Sequence, residues 1–488
     1  MESRSNRSWA REEFGGSELG DERRTARLVA MATEMADKPG GRVSDVFRRA
    51  SDRQGAYDFL ESHHVAAPAI LDAAIAACVE RSTEYPFVFV PLDGTSLNLT
   101  DHARSKDFGS VGSRARCGRG LKVIDGIAIS PTGVPLGLAA MQWWARGDPV
   151  KRDRKMRSTM EKETQHWLDA VTTVATSMER AKRTKVWFQI DREGDAQRLL
   201  EKHVSSGHWF TVRSQADRKL HTLGDALRPS KRNPEKRRRF LRAYLGRRKP
   251  IAFDLLEVPA RGGNPARLAC VAIRTASVLL HLHDRRVSEH RTMRVNVVWV
   301  REHGRGPTRT SRSGQTRSLR LDWLLLTNHP VSEVDDAKMV VFGYTQRWRI
   351  EDFHRAWKSG ICNVEDTQLH AREHVIKWAT VLAAVAIRAE RLKHLSRESP
   401  RTPATTEFSS VELDALIILK RRYGKRTENI SDNVPDLATA TRWIAELGGY
   451  TGKSSGGPPG SVTISRGLEQ LHVAAEVLAA IASRKKKR

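Results

Sequence analysis

The chain has 488 residues, of which 84 are lysine or arginine and 57 are aspartate or glutamate, so its formal net charge is +27. This length predicts two to four domains at roughly 100–200 residues each. The apolar content of 39% is sufficient to fill a core and argues against a disordered chain. The positive excess favours a polyanionic partner, and DNA fits best because lysine and arginine neutralise its phosphates.

Neither a membrane span nor a disulfide framework is indicated. The apolar run 378–387 covers about half of the ~20 residues that a spanning helix needs, and the N-terminus has no apolar signal core. The four cysteines form no CxxC pair, which also argues against a zinc knuckle. No P-loop or dinucleotide fingerprint is present, so we expect no nucleotide cofactor. A soluble intracellular protein is expected.

Residues up to about 80 have a helical pattern. Asp21 is placed to cap a helix over 22–35, and further helices are predicted over 44–60 and 67–80. A small basic helical domain of this kind is a common way to bind DNA, and the alternative is an ordinary solvated face without a ligand. The basic face of the first predicted helix carries Arg23, Arg24 and Arg27.

From residue 87 the pattern changes to that of an α/β fold around a mixed sheet. Short apolar runs bounded by polar residues predict buried strands, and Gly133 marks the tight turn of a hairpin. Helix-compatible stretches lie at 151–182 and 196–203. The predicted strands are 87–92, 121–130, 134–144 and 186–190.

Residues 215–320 predict a β-rich insertion with basic loops. The two runs of basic residues, 231–249 and 301–320, are either solvated loops or DNA contacts. Within the insertion, strands are expected at 251–257, 266–273 and 294–300.

From residue 339 the helical pattern returns. One amphipathic helix is predicted over 342–360, and a long helix with an apolar stripe over 370–395. After the Ser/Gly/Pro stretch 454–460, a final helix has apolar residues at near-heptad spacing, which suits either a helix partner or the local core. The predicted domains are an N-terminal helical DNA-binding domain (1–80), a catalytic core (81–390) and a C-terminal helical dimerisation domain with a basic tail (391–488).

Two acidic residues follow predicted strands directly. Asp93 comes after the run 87–92 and Asp191 after 186–190. Sites of α/β proteins form at the carboxyl ends of strands, so pairing of these two strands would bring both carboxylates together. Two adjacent carboxylates repel unless a cation or a shared proton relieves them, and Mg²⁺ prefers such oxygen ligands. A strand-end aspartate is also a common turn former, so a metal site needs a third acid.

Glu351 is the candidate for that third acid. On one continuous helix over 342–360, its side chain would share a face with a phenol and three cations, because these residues are three or four positions apart. The face is either a ladder of salt bridges in solvent or a track for DNA phosphates beside a metal-binding acid. Its members are Tyr344, Arg347, Glu351, Arg355 and Lys358.

This segment resembles the bacterial cut-and-paste DDE transposases of the insertion-sequence-four family. Its Tyr, Arg, Glu and Lys match the Y-(2)-R-(3)-E-(6)-K signature of that family, at Tyr344, Arg347, Glu351 and Lys358. The likeness runs through nearly the whole chain as several blocks in the same order. The other matching blocks are 19–28, 55–57, 191–193, 323–327, 347–351 and 447–449.

The resemblance implies a ribonuclease-H-like catalytic core in which Asp93, Asp191 and Glu351 form the DDE triad. This triad would hold two divalent ions per active site, Mg²⁺ or in its place Mn²⁺. A base flipped from the DNA end would be held or replaced by aromatic rings at a cost of a few kcal/mol that stacking offsets. The implied DNA contacts are Tyr344, Arg347, Lys358, Arg213, Trp323 and Trp348, and the helix face adds Arg355.

The function that the resemblance implies is that of a transposase. It would bind the inverted-repeat ends of its element, cut them by two-metal hydrolysis and strand transfer through a hairpin, and join the 3′ ends to target DNA. We expect a homodimer on double-stranded DNA, with the C-terminal helices as the contact, in the cytoplasm of a bacterium in association with the nucleoid. The alternatives are a non-catalytic DNA-binding repressor derived from a transposase and a nuclease without strand transfer.

A second metal site, formed by histidines, is conceivable from the sequence but is not favoured. Histidines alternate in a predicted strand and turn, a pattern more typical of a surface than of a metal site. The residues concerned are His281, His283, Asp284 and His290.

Overall fold

The computed structural model describes residues 6–101, 103, 105–112, 118–146, 163–220, 240–258, 266–284, 289–304, 307–310, 316–424, 428, 430–452 and 457–486. Several predicted features lie wholly or partly outside these residues, namely the helical stretch 151–182, the basic runs 231–249 and 301–320, the stretch 454–460 and the C-terminal tail. In the parts of the chain that are described, no helix is both long and apolar enough to cross a membrane.

Within the described residues, five helices precede the sheet, where the sequence predicts three. Asp21 caps the second helix as expected, because its carboxylate accepts a hydrogen bond of 2.8 Å from the backbone N–H of Arg23. The predicted helix over 44–60 is divided in two, since Phe47 and Arg49 adopt extended backbone. The helices are α1 (Asn6–Phe14), α2 (Glu22–Asp37), α3 (Val43–Val46), α4 (Ala50–Glu61) and α5 (Ala67–Ser82).

A ten-stranded mixed sheet forms the centre of the fold, which confirms the predicted α/β class. Its strands are β1 (Phe87–Leu99), β2 (Gly109–Val111), β3 (Gly118–Ile129), β4 (Pro135–Trp144), β5 (Lys185–Ile190), β6 (Trp209–Arg213), β7 (Ala252–Val258), β8 (Arg267–Asp284), β9 (Glu289–Glu302) and β12 (Asp322–Thr327). Two short strands, β10 (Thr308–Thr310) and β11 (Thr316–Ser318), pair separately.

The strand order is β2-β3-β1-β5-β6-β12-β9-β8-β7, and β4 also pairs with β3. Strands β1, β5 and β6 run parallel to each other, whereas the other pairings are antiparallel. The predicted hairpin is therefore present as β3 and β4, and its turn contains Gly133 with a φ of 97°.

The strands of the predicted insertion extend this central sheet. Strand β12 pairs with β6 on one side and with β9 on the other, so β9, β8 and β7 continue the sheet outward. Strands β8 and β9 contain 18 and 14 residues, and both are longer than predicted. Their outer halves stay in strand because continuous antiparallel pairing runs to the hairpin end at Asp284 and Glu289.

Strand β1 also continues beyond its predicted end at residue 92. Its pairing with β5 stops at Leu92, where the predicted apolar run stops, but its pairing with β3 continues to Leu99. Asp93 therefore lies inside a strand instead of following one. The prediction is wrong on this point because the polar residues after Leu92 remain bonded to a neighbouring strand that the local sequence does not specify.

Helices cover both faces of the sheet. One core contains Val88 and Val90 of β1 together with side chains of α6 (Thr164–Met178), α7 (Gln197–Ser205) and α8 (Leu241–Leu245). The other contains Phe89, α9 (Val334–Gln346), α10 (Trp348–Lys358), α11 (Arg372–Glu398) and much of the N-terminal helices. Alternate residues of β1 thus point into opposite cores, as expected for a strand buried on both faces.

The helix predicted over 342–360 is two helices, α9 and α10, and the junction is Arg347. At this junction the N–H of Arg347 bonds to the carbonyl of Tyr344, and the N–H of Ile350 bonds to that of Arg347, each at 3.2 Å. Bonds across three residues thus replace the four-residue pattern of an α-helix. The single continuous helix predicted over 342–360 is therefore wrong.

The C-terminal helices pack around a third core. These helices are α12 (Ser410–Tyr423), α13 (Leu437–Leu447) and α14 (Ser461–Lys486), and Leu392 of α11 joins them. Leu471 is fully buried in this core, so the near-heptad residues of α14 serve the local core of the chain. The predicted domain bounds and the homodimer stay predictions.

Candidate active site and DNA-binding residues

Two of the predicted triad acids meet at one edge of the sheet. Strands β1 and β5 pair in parallel up to the partners Leu92 and Ile190, so Asp93 and Asp191 are the next residues on neighbouring strands. Burial raises the pKa of Asp93 to about 6; charges on His354 and Arg347 oppose this rise and the charge of Asp191 adds to it. The two carboxylates are therefore close enough to interact.

Arg347 connects Glu351 to this pair. Its Nη2 donates a hydrogen bond of 2.5 Å to Oε1 of Glu351, and its Nη1 lies 3.5 Å from Oδ2 of Asp93. The Arg347 side chain is only 9% exposed, so this positive charge is held between two acids in a largely water-free position. The predicted triad thus forms one cluster with a guanidinium inside it.

Backbone groups hold both aspartates in place. Asp191 accepts a hydrogen bond of 2.7 Å from the N–H of Glu193 and thereby begins a short 3₁₀ turn. Asp93 accepts one of 2.9 Å from the N–H of Gly94. Each carboxylate is therefore oriented by the main chain.

The predicted base-binding residues also lie together, next to the triad. The ring of Trp323 packs edge-on against Tyr344 at 5.1 Å and against Trp348 at 5.8 Å. Burial raises the pKa of Tyr344, and the charges of Arg347 and Arg213 oppose this rise. Arg213 also donates to the carbonyl of Asp322 at 3.2 Å. Trp323 and Tyr344 are 3% and 4% exposed, so both rings are core residues in this conformation.

The two remaining basic residues of α10 have different surroundings. Lys358 Nζ donates to Oγ1 of Thr95, two residues beyond Asp93, at 3.2 Å, so this ammonium borders the acidic cluster. Arg355 is 72% exposed and pairs with Asp352 at 3.2 Å. The structure brings Lys358 to the site and leaves Arg355 at the solvent surface.

The three arginines predicted for DNA binding lie on α2. Arg23 and Arg27 are exposed, whereas Arg24 is half-buried and donates to the carbonyl of Leu19 at 2.8 Å. The guanidinium of Arg27 lies against Gly55 of α4, where an added Cβ would come within 2.9 Å of it. Two of the three are thus free of the core and available to a ligand.

The residue pattern did not identify a buried acid–histidine pair behind the triad. Oδ2 of Asp125 lies 2.9 Å from Nε2 of His354, and the Asp125 side chain is fully buried. Burial raises the pKa of Asp125, and the hydrogen bond from His354 opposes that rise. An aspartate within the apolar run 121–130 was the available signal, because a buried acid requires a partner.

The extended sheet carries a second basic group. Three guanidinium groups lie 5.6 to 5.8 Å from the ring centroid of Trp299, which is a cation–π distance. Two belong to predicted basic runs and one, on β8, was not predicted. The three residues are Arg242, Arg274 and Arg301.

In the alternating-histidine site, the side chains of His283, Asp284 and His290 lie outside the described residues. Among the residues that are described, the ligand atoms of Asp352, Glu390 and His394 lie within 4.8 Å of one another, as at a metal site, whereas those of Asp93, Asp191 and Glu351 do not come that close together. Lys393 contacts both Glu390 and Asp352 there, so an ion-pair network accounts for this group.

The N-terminal helices match a known family. Residues 6–65 match the family model described as transposase DNA-binding. The matched segment spans α1 to α4 and includes the exposed Arg23 and Arg27. DNA is therefore supported as a partner, and the match supports a transposase that binds DNA.

Proposed function

We propose that the chain is a DDE transposase of the insertion-sequence-four family, which cuts the ends of its element and joins their 3′ ends to target DNA. The observation that carries this proposal is the cluster of Asp93, Asp191 and Glu351. These residues are distant in sequence, and they lie together in a chain whose N-terminus matches a transposase DNA-binding model.

The donor set fits hard divalent cations. Three carboxylates provide oxygen ligands, and burial together with the charge of Asp191 raises the pKa of Asp93, so a bound cation would favour the ionised form of this carboxylate. Asp93, Asp191 and Glu351 would hold Mg²⁺ or Mn²⁺. Two such ions, when bound, would activate the attacking water or 3′-hydroxyl and stabilise the leaving oxygen.

The surrounding residues suit the DNA end. Lys358, anchored on Thr95, and Arg347 would bind phosphates beside the acids, together with Tyr344. Trp323 and Trp348 would hold the flipped base once the end displaces them from the core packing that they have here. The parallel strands β1, β5 and β6 with antiparallel β3 would form the ribonuclease-H-like core.

A cleavage assay tests the proposal. DNA that carries the inverted repeats flanking the gene would be incubated with the protein and Mg²⁺, and hairpin, nicked and joined products would be separated. We expect Asp93→Ala, Asp191→Ala and Glu351→Ala to abolish cleavage while DNA binding persists. Glu179→Ala, which replaces an exposed acid at the C-terminal end of α6, serves as the matched control and should cut normally.

The alternatives predict different products in the same assay. A repressor would bind the repeats and leave them uncut with Mg²⁺ or Mn²⁺. A nuclease without strand transfer would cut them and form no joined product. Normal cutting by all three triad variants would remove the catalytic assignment.

A further inference from the structure

We propose that His354, held by Asp125, is a positioning residue that fixes the helix carrying Glu351 against the strand carrying Asp93. The inference rests on the proposed function, because it concerns the geometry of the acids assigned there to divalent ions. It adds two residues outside the triad and its DNA contacts to the site.

Asp125 lies directly beside one triad acid. It is on β3, where its Cα partner across the antiparallel pairing with β1 is Asp93. Its side chain has no exposed surface, and its Oδ2 is 2.9 Å from Nε2 of His354. Its other oxygen, Oδ1, is buried without a hydrogen-bond partner among the described residues. The carboxylate is thus committed to a single side chain.

His354 lies one helical turn beyond another triad acid. It is three residues after Glu351 on α10, and its side chain is 11% exposed. Burial is the main influence on the pKa of Asp93, and a charge on His354 is the first of the influences that oppose it, which places the imidazole near that carboxylate. The imidazole therefore lies between the neighbouring strand and the catalytic helix.

The acids are consequently linked by two bridges. Arg347, before Glu351 on the chain, joins Glu351 to Asp93. His354, after Glu351, joins the same helix to β3 at the residue opposite Asp93. The two bridges fix the end of α10 from both sides of Glu351, so they set the separation of Glu351 from Asp93.

Stability alone does not explain a buried carboxylate with one partner. An apolar residue at position 125 would pack with Val123 and Ile127, which are fully or almost fully buried on the same face of the sheet, and such replacements of buried ionic groups are often neutral or stabilising. Polar groups that contact and orient metal ligands, in contrast, typically contribute about 10- to 100-fold to metal affinity or activity. The buried carboxylate of Asp125, next to a triad acid, therefore fits the role of orienting metal ligands better than that of stabilising the fold.

The test measures Mn²⁺ binding directly, by electron paramagnetic resonance of the free ion in titrations of the whole protein without DNA. We expect His354→Ala to raise the dissociation constant by about tenfold or more. His354→Gln, whose amide nitrogen can still donate to Asp125, should stay much nearer to the parent. The matched control is His203→Leu, which removes another fully buried histidine, on α7, whose ring nitrogens have no partner among the described residues.

A second variant separates positioning from stability. Asp125→Leu removes the hydrogen-bond acceptor for His354 and places an apolar side chain at the same buried position. We therefore expect the free energy of unfolding in urea to be unchanged or higher. The affinity for Mn²⁺ should fall as much as in His354→Ala. Unchanged Mn²⁺ binding in both His354→Ala and Asp125→Leu would overturn this inference and leave the proposed function intact. Absence of Mn²⁺ binding in the parent, or full binding in Asp93→Ala, would instead remove the proposed function on which the inference rests.

Discussion

Arg347 supplies the positive charge that lies between Asp93 and Glu351. A buried guanidinium with two carboxylate partners is difficult to replace, because its removal leaves the acids uncompensated in a poorly hydrated position. The same reasoning applies to a metal ion at the acids. Arg347 therefore balances the acidic cluster electrostatically when no divalent ion is bound.

We predict that Arg347→Ala lowers the free energy of unfolding by about 3 kcal/mol in the presence of EDTA. Millimolar Mn²⁺ should restore part of this loss, because a bound cation relieves the same repulsion. Urea unfolding followed by tryptophan fluorescence measures both effects. Arg355→Ala is the matched control, since this arginine is 72% exposed and its removal should change stability by less than about 0.5 kcal/mol. Equal losses in the two variants would contradict the assigned role.

The raised pKa of Asp93 predicts that the stability of the folded protein depends on pH. Burial, with the charge of Asp191, raises the pKa of Asp93 to about 6 from 3.8, so the folded protein binds more protons between these values than the unfolded chain. The contribution of this group to stability is therefore present at low pH and is lost as pH rises through 6. Asp93→Asn removes this dependence.

Without divalent ions, the free energy of unfolding of Asp93→Asn, measured relative to that of the parent, should increase by on the order of 1–2 kcal/mol as the pH rises from 4.5 to 8. Urea unfolding of both proteins at the two pH values measures the change. Asp191→Asn, at the neighbouring strand end, shows whether the effect belongs to Asp93. A difference that is constant with pH would contradict the raised pKa.

Individual strands show where a local pattern is sufficient and where it fails. The apolar runs before Asp93 and Asp191 predict two strands, and the structure pairs them in register, which brings the two acids together. The continuation of β1 to Leu99 could not be predicted, because it depends on bonds to β3 and not on its own side chains. The pairing of Asp125 with His354 could not be predicted for the same reason, because 229 positions separate the two residues.

The break at Arg347 had no signal in the apolar periodicity either. Helix propensity and amphipathicity both favour continuation through this residue, whereas its guanidinium also contacts Asp93 on β1. Tertiary contacts of this kind override local preference. Sequence alone therefore placed the signature residues on one continuous helix and missed that Tyr344 belongs to a separate helix, α9, in which its ring is buried.

The strands of the insertion carry a prediction about DNA. Strand β9 runs in the same direction as β5, because β12 is antiparallel to both β6 and β9 while β5 and β6 are parallel. Arg301, near the end of β9, therefore lies at the same edge of the sheet as Asp191. If DNA enters the proposed active site from this edge of the sheet, the arginines around Trp299 would lie beside it.

Replacing Arg274 and Arg301 together by glutamine should weaken DNA binding and reduce the slope of log K against log salt by about 2, roughly 0.9 for each lost phosphate contact. Fluorescence anisotropy with labelled DNA over a salt series measures this slope. Arg180→Gln with Arg183→Gln is the matched control, because these exposed arginines precede β5 at the opposite end of the sheet. An unchanged slope in the first variant would exclude phosphate contacts at Trp299.

At the scale of the whole molecule, the charge of +27 is distributed over a fold with three cores. The N-terminal helices share a core with α11 and one face of the sheet, and Lys377 of α11 donates to the carbonyls of Leu60 and Ser62 at 2.9 Å each. DNA bound to α2 would therefore be held by an element that is packed onto the body containing the acids. The composition predicted a DNA partner but could not predict this coupling, which depends on packing between distant segments.

The last helix, α14, presents an apolar stripe that its own core does not use. Val473, Val477 and Ile481 are 41%, 54% and 49% exposed and recur every four residues, whereas Leu471 of the same helix is buried. Such a stripe is suited to a second copy of the helix, which agrees with the proposed homodimer on DNA. Burial of each side chain would contribute about 1.5–3 kcal/mol.

We therefore predict that Val477→Glu reduces formation of a complex containing two DNA ends by about tenfold or more, since a charge in an apolar contact removes at least 1.4 kcal/mol. Binding of one protein to one end should be unchanged, because α14 lies outside the matched DNA-binding segment. Analytical ultracentrifugation with end-containing DNA distinguishes the two species. Val204→Glu, which places the same charge at a 45% exposed valine of α7, controls for the added charge. Equal two-end complexes in parent and Val477→Glu would assign dimerisation to another surface.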